Sequence, residues 1–79
     1  MWLDKQEISS WSYRYCRDVK NDPEIKKNII DAGWAYAYCR DVKDDPEVRK
    51  HIIDSHWAYW YCKNIRDDPQ VRKYIWKGK

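Results

Sequence analysis

Phenylalanine is absent from this chain of 79 residues, leucine occurs once, as Leu3, and glycine occurs only at Gly33 and Gly78. A core without Phe and nearly without Leu must be built from Ile, Val and other residues that tolerate burial. Two isolated glycines exclude a glycine-rich phosphate loop. No run of 18 apolar residues occurs, so no membrane-spanning helix is expected. The opening residues MWLDKQEISS lack a basic stretch followed by an apolar one, so no secretory signal is expected there and the expected location is the cytoplasm. No Ser or Cys has an evident partner base, and no enzymatic activity is expected. The three cysteines, Cys16, Cys39 and Cys62, recur every 23 residues, not at the pair spacing of about two to four that zinc requires. Neither a metal nor any other cofactor is expected.

What the chain has instead is aromatic: six Trp and seven Tyr. Each large ring buries much area while keeping a polar atom that reaches solvent, which suits a single domain of this size. Net charge is +3 and unevenly spread. Residues 1–59 balance ten basic against eleven acidic side chains; residues 60–79 set Lys63, Arg66, Arg72, Lys73, Lys77 and Lys79 against Asp67 and Asp68. That basic end is suited to an acidic protein or a nucleic acid, although +3 is small for a nucleic-acid packaging protein.

The chain repeats itself with a period of 23 residues. Trp11, Trp34 and Trp57 correspond, as do Tyr13, Tyr36 and Tyr59; Tyr15, Tyr38 and Tyr61; and Pro23, Pro46 and Pro69. The units are 9–31, 32–54 and 55–77, without linkers, so one domain spans 1–79. Each unit reads as two helices. The first, from about Ser10 to Lys20, places Ser12, Tyr15, Cys16 and Val19 at the spacing of one buried face. Asn21-Asp22-Pro23 then ends it, because the residue before Pro disfavours the α region. Asp22 is also a good N-cap, and Pro is tolerated at the first helical position. Asp45-Pro46 and Asp68-Pro69 repeat the device. The second helix runs from Pro23 to about Ile30, with Ile25 and Ile29 on one face, then Val48 with Ile52 and Val71 with Ile75. Residues 1–8 are expected to form a separate, atypical cap helix carrying Trp2, Leu3 and Ile8. Such short helices are unstable alone and must stack. The expected fold is all-α: a short α-solenoid of three 23-residue helix-turn-helix repeats.

The core of the first helix, Ala35-Tyr36-Ala37-Tyr38 and Ala58-Tyr59-Trp60-Tyr61, and the start of the second, Asp45-Pro46-Glu47-Val48, resemble short tandem helix-pair repeats of unknown function. Such repeats are found in bacteriophage proteins and large bacterial multi-repeat proteins. Unit one departs from the pattern at Ser12 and Arg14. The resemblance covers most of the chain and implies a helical repeat and a phage origin, but no activity.

The cysteines read as small core residues. Neighbouring units lie about 10 Å apart, beyond the ~7 Å reach of a disulfide. His51 and His56 fall across the loop between units two and three and lack the spacing of a helical metal pair. The paired aspartates, Asp44-Asp45 and Asp67-Asp68, are explained by capping. Two interaction surfaces remain. One is a basic ladder on the second helices: Lys26, Lys27, Arg49, Lys50, Arg72 and Lys73. Its bland reading is a solvated face, its sharp one a surface for phosphates or an acidic partner. The other is an outward column of Arg14, Ala37 and Trp60, joined near the C-terminus by Lys63, Arg66, Tyr74 and Trp76. Trp and Arg concentrate binding energy at interfaces, although Trp60 and Trp76 would also serve to cap an open end. The function expected is a non-enzymatic protein–protein interaction module, in concrete form a small phage-encoded inhibitor that occludes a surface of a host defence enzyme. The alternatives are nucleic-acid binding through the ladder and aromatics, and self-assembly into homo-oligomers through open solenoid ends.

Overall fold

The computed structural model describes residues 4–77, and every regular element among them is helical. In order these are α1 (Lys5–Asp18), α2 (Pro23–Lys26), α3 (Ala32–Asp41), α4 (Pro46–Arg49), α5 (Ser55–Asn64) and α6 (Pro69–Lys77). α1 packs on α2 and α3, α3 on α4 and α5, and α5 on α6. No helix among the described residues is long and apolar enough to cross a membrane.

Aspartate starts each of these helices. Asp22, Asp45 and Asp68 accept from the backbone N–H groups of Glu24, Glu47 and Gln70, each at 2.8 Å, with Pro at the next position. A second set caps the long helices. Asp4 accepts from Glu7 N–H, Asp31 from Gly33 and Trp34, and Asp54 from His56 and Trp57. These carboxylates satisfy donors that a helix start otherwise leaves open.

Three expectations need correction. Among the described residues no separate cap helix precedes unit one. Residues 5–8 are the first turn of α1, because Asp4 supplies the cap and nothing between Ile8 and Ser9 breaks the helix. Trp2 and Leu3 lie outside the described residues. Next, α2 and α4 are single turns and do not reach Ile30 or Ile53. Bonds from residue i to i−3, such as Asn28 to Ile25 and His51 to Val48, both 3.0 Å, tighten the chain before it turns to the next Asp cap. In unit one Ser9 Oγ holds that turn, accepting from the N–H groups of Ile30 and Asp31 at 3.0 Å each. In unit three the corresponding position is Lys77, not Asp, and α6 continues for nine residues.

The third correction is the buried face of α1. It comprises Ser9, Ser12, Tyr13 and Cys16. Tyr15 and Val19 are 36% and 66% exposed. The spacing is helical, as expected, but the phase is rotated toward Tyr13, which α3 covers. Along α2, α4 and α6 and the turns that follow the first two, the apolar positions agree with the sequence. Ile29, Val48, Ile52 and Val71 are buried, and Ile25 and Ile75 pack against them.

Candidate functional site

Consecutive long helices are joined by rings. Trp34 lies against Tyr13 and Trp57 against Tyr36, each pair with centroids 5.4 Å apart. The second joint packs tightly on Gly33. A Cβ there would come within 3.1 Å of Trp57 Cε2, so a side chain would press on the indole. Polar contacts repeat beside the rings. The Tyr13 hydroxyl donates to Asp41, and Asn64 Nδ2 donates to the Tyr36 hydroxyl at 2.9 Å. The Tyr38 hydroxyl donates to Asn21 and the Tyr61 hydroxyl to Asp44, both at 2.6 Å. Lys26 Nζ meets Asp45 at 2.6 Å, and Arg49 Nε meets Asp68 at 3.4 Å.

On one side these joints leave a groove of about 940 Å³. Trp34, Ala37 and Trp57 line it, with Ile30 and Ile53 as exposed apolar walls. Lys5, Arg40, Lys50 and His51 provide its basic groups. Asp31 and Asp54 also border it, but their carboxylates are turned to the N-termini of α3 and α5. Burial, then the charges of Lys50 and Lys5, hold the His51 imidazole below its ordinary pKa despite Glu47 nearby. His51 is therefore mostly neutral near pH 7, and the groove's cations are Lys5, Arg40, which pairs with Asp41, and Lys50, which pairs with Glu47 at 3.5 Å. Arg40 is oriented by a two-pronged bond to Asp41, 2.8 Å at each prong. The guanidinium and the Tyr13 hydroxyl together lower the Asp41 pKa to about 2.

The expected partner-binding residues are dispersed. Arg14 stands on α1 over the Trp11 ring, at 5.0 Å. The outward column does not exist as such, because Ala37 is buried at the groove. The position faces the joint with the next unit, and Trp60 occupies its counterpart on α5. Trp60 is half-buried against the core, edge-on to His56, with Lys63 Nζ 5.2 Å from its centroid. Arg66 turns back to Asp44 and Asp68, at 3.9 and 3.6 Å. Tyr74 packs on the core beneath Lys73, and Trp76 is exposed.

The basic ladder divides in two. Lys26 and Arg49 are mostly covered and neutralised across the joints, and Arg72 bonds Asp67 at 3.0 Å. The outer members lie at the surface. Lys27 and Lys50 pair with Glu24 and Glu47, while Lys73 reaches Gln70 at 3.5 Å. Lys26 and Arg49 are covered and matched by aspartate, which removes them from any phosphate-binding surface, whereas Arg72 is exposed beside Asp67.

Cys16 and Cys39 are buried and Cys62 half-buried, all as free thiols. Burial pushes the Cys39 thiol up to about 12. Among the described residues no group of three or more His, Cys, Asp or Glu is arranged to hold a metal ion. Trp34 and Trp57 pack between units, as their place beside the core face implies, and the groove residues that sequence reasoning missed are chiefly Ile53 and Lys5. The available signal was Gly33: a lone glycine near a helix start marks a close approach by another group. Comparison with protein-family models, curated proteins and solved structures finds no match.

Proposed function

We propose that the chain is a non-enzymatic protein-binding module, a short α-solenoid of three 23-residue helix pairs. Its groove takes an acidic segment of a partner protein. The repeat reading rests on the same ring, hydroxyl and ion-pair contacts recurring one period apart at two joints. The binding reading rests on one observation: exposed isoleucines and two indoles share a groove with Lys5, Arg40 and Lys50. Apolar side chains of a partner would leave water there while its carboxylates meet the basic groups. In the phage-inhibitor form of this reading, the segment belongs to a host defence enzyme.

The test is fluorescence anisotropy with a labelled peptide of alternating Glu and Leu. Binding should saturate, weaken as salt rises, and fall by about tenfold in the Lys5→Glu/Lys50→Glu double variant. Equal binding by the double variant, or equally tight binding of a Lys–Leu peptide, would overturn the reading.

A further inference from the structure

The contacts that join one unit to the next each have a forward half and a backward half, and among the described residues the outermost halves are largely exposed. On the forward side of unit three stand Tyr59, Asp67 and Arg72, which correspond to Tyr36, Asp44 and Arg49. On the backward side of unit one stand Trp11, Tyr15, Asp18 and Asp22, which correspond to Trp34, Tyr38, Asp41 and Asp45. Trp11 is 58% exposed and Tyr59 is 48% exposed. Among the described residues, neither has the inter-unit ring partner that its counterparts Trp34 and Tyr36 have.

Each exposed half carries the residue types that meet its opposite in the internal joints. Trp11 would lie on Tyr59 as Trp34 lies on Tyr13. Asp18 would accept from the Tyr59 hydroxyl as Asp41 accepts from Tyr13. Asp67 would accept from Tyr15 as Asp44 accepts from Tyr61 at 2.6 Å. Arg72 would meet Asp22 as Arg49 meets Asp68. The forward side is already set for this. Arg72 Nη1 holds Asp67 at 3.0 Å, the same bond and distance as Arg49 to Asp44 in the internal joint. The forward side offers the Arg72–Asp67 pair and the backward side the Asp18 and Asp22 carboxylates with the Tyr15 hydroxyl, so Arg72 has a carboxylate to meet and Asp67 a hydroxyl.

We propose that the backward face of one copy docks on the forward face of a second copy, in the register of the internal joints. The contact is head-to-tail, so it propagates unless geometry closes it into a ring. It is weaker than an internal joint. His56 and Trp60 stand where Gly33 and Ala37 stand in unit two, and they crowd the indole coming from the second copy. Unit one shows that this position admits side chains, since Ser10 and Arg14 occupy it beside the Tyr13–Trp34 pair. Trp11 and Tyr59 do not line the groove, so this contact and peptide binding fail or succeed independently.

The test is light-scattering mass against concentration, up to about 1 mM, where complexes with a millimolar Kd are substantially formed. The mass should climb above the 9.8 kDa of one chain. Trp11→Ala and Tyr59→Ala each remove one exposed ring from one face and should each remain monomeric, with the far-UV helix signal retained. Mixed, the two variants keep one intact face each and should stop at a dimer, twice the 9.8 kDa mass. A constant monomer mass for the unmodified chain overturns the proposal. So does unchanged association by either single variant, or a mixture no heavier than its components.

Discussion

Tyr15, Tyr38 and Tyr61 occupy one position of the repeat, yet Tyr38 and Tyr61 are wholly buried while Tyr15 is 36% exposed. The local sequence does not explain this, since Tyr-Cys follows the same helical pattern in all three units. What differs is the neighbour. Tyr38 reaches Asn21 and Tyr61 reaches Asp44, each in the unit before its own. Tyr15 has no preceding unit among the described residues. Burial in this molecule is therefore a property of joints, and a side chain's contribution depends on whether its joint is made.

Truncation of the two tyrosines should separate them most widely. Tyr38→Ala should cost about 3–5 kcal/mol, as for large buried aromatics. That is a large share of the stability of a domain this small. Tyr15→Ala should cost under about 1 kcal/mol, in the range of surface substitutions. Urea melts of both variants check this. Near-equal losses would mean that burial is not set at the joints.

Gly33 gives an intermediate effect. Gly33→Val should destabilise by about 1–3 kcal/mol through overpacking against Trp57. Removing the exposed side chain at the equivalent position, His56→Gly, should give only the loss of helix propensity, about 1 kcal/mol or less near a helix end. Thermal melts separate the two.

The smallest effect concerns acid. The first joint bonds Tyr13 to Asp41, whereas the second bonds Tyr36 to Asn64. Asp41 is held at about 2, below the ordinary value near 3.9. A carboxylate depressed in the folded state stabilises fully above the unfolded value, and that contribution is lost as pH falls from about 4 through about 2. Asp41→Asn should thus flatten the acid limb of stability in that window while leaving the joint closed, since Asn already serves there in the second joint. Because Asp41 is partly solvated, the change is small and is best followed by Tm between pH 5 and pH 2. An unaltered acid limb would remove Asp41 from the account.

Much of this was legible in the residues. Asp-Pro pairs placed the starts of α2, α4 and α6 because their physics is local: a carboxylate reaches an N–H two residues on. The Asp31 and Asp54 caps obey the same rule and were readable, but lack the proline that draws attention. The phase of α1 was not readable, because Tyr13 and Tyr15 are equally apolar and only the position of Trp34 decides between them. Lys26 looked like a surface charge because Asp45, which covers it, lies 19 residues away. Ala37 looked outward for a similar reason: the groove it lines exists only once α3 and α5 are side by side.

The turns closed by i to i−3 bonds carry a consequence for how the chain folds. They return it quickly to the next cap, so even the hydrogen bonds across joints, such as Tyr13 to Asp41 and Asn64 to Tyr36, span only 28 residues. The chain entropy lost in closing each joint is correspondingly modest, and low sequence separation favours fast folding. Either joint is able to form first and template the other. Folding then spreads from neighbour to neighbour, with no distant part of the chain needed to begin it.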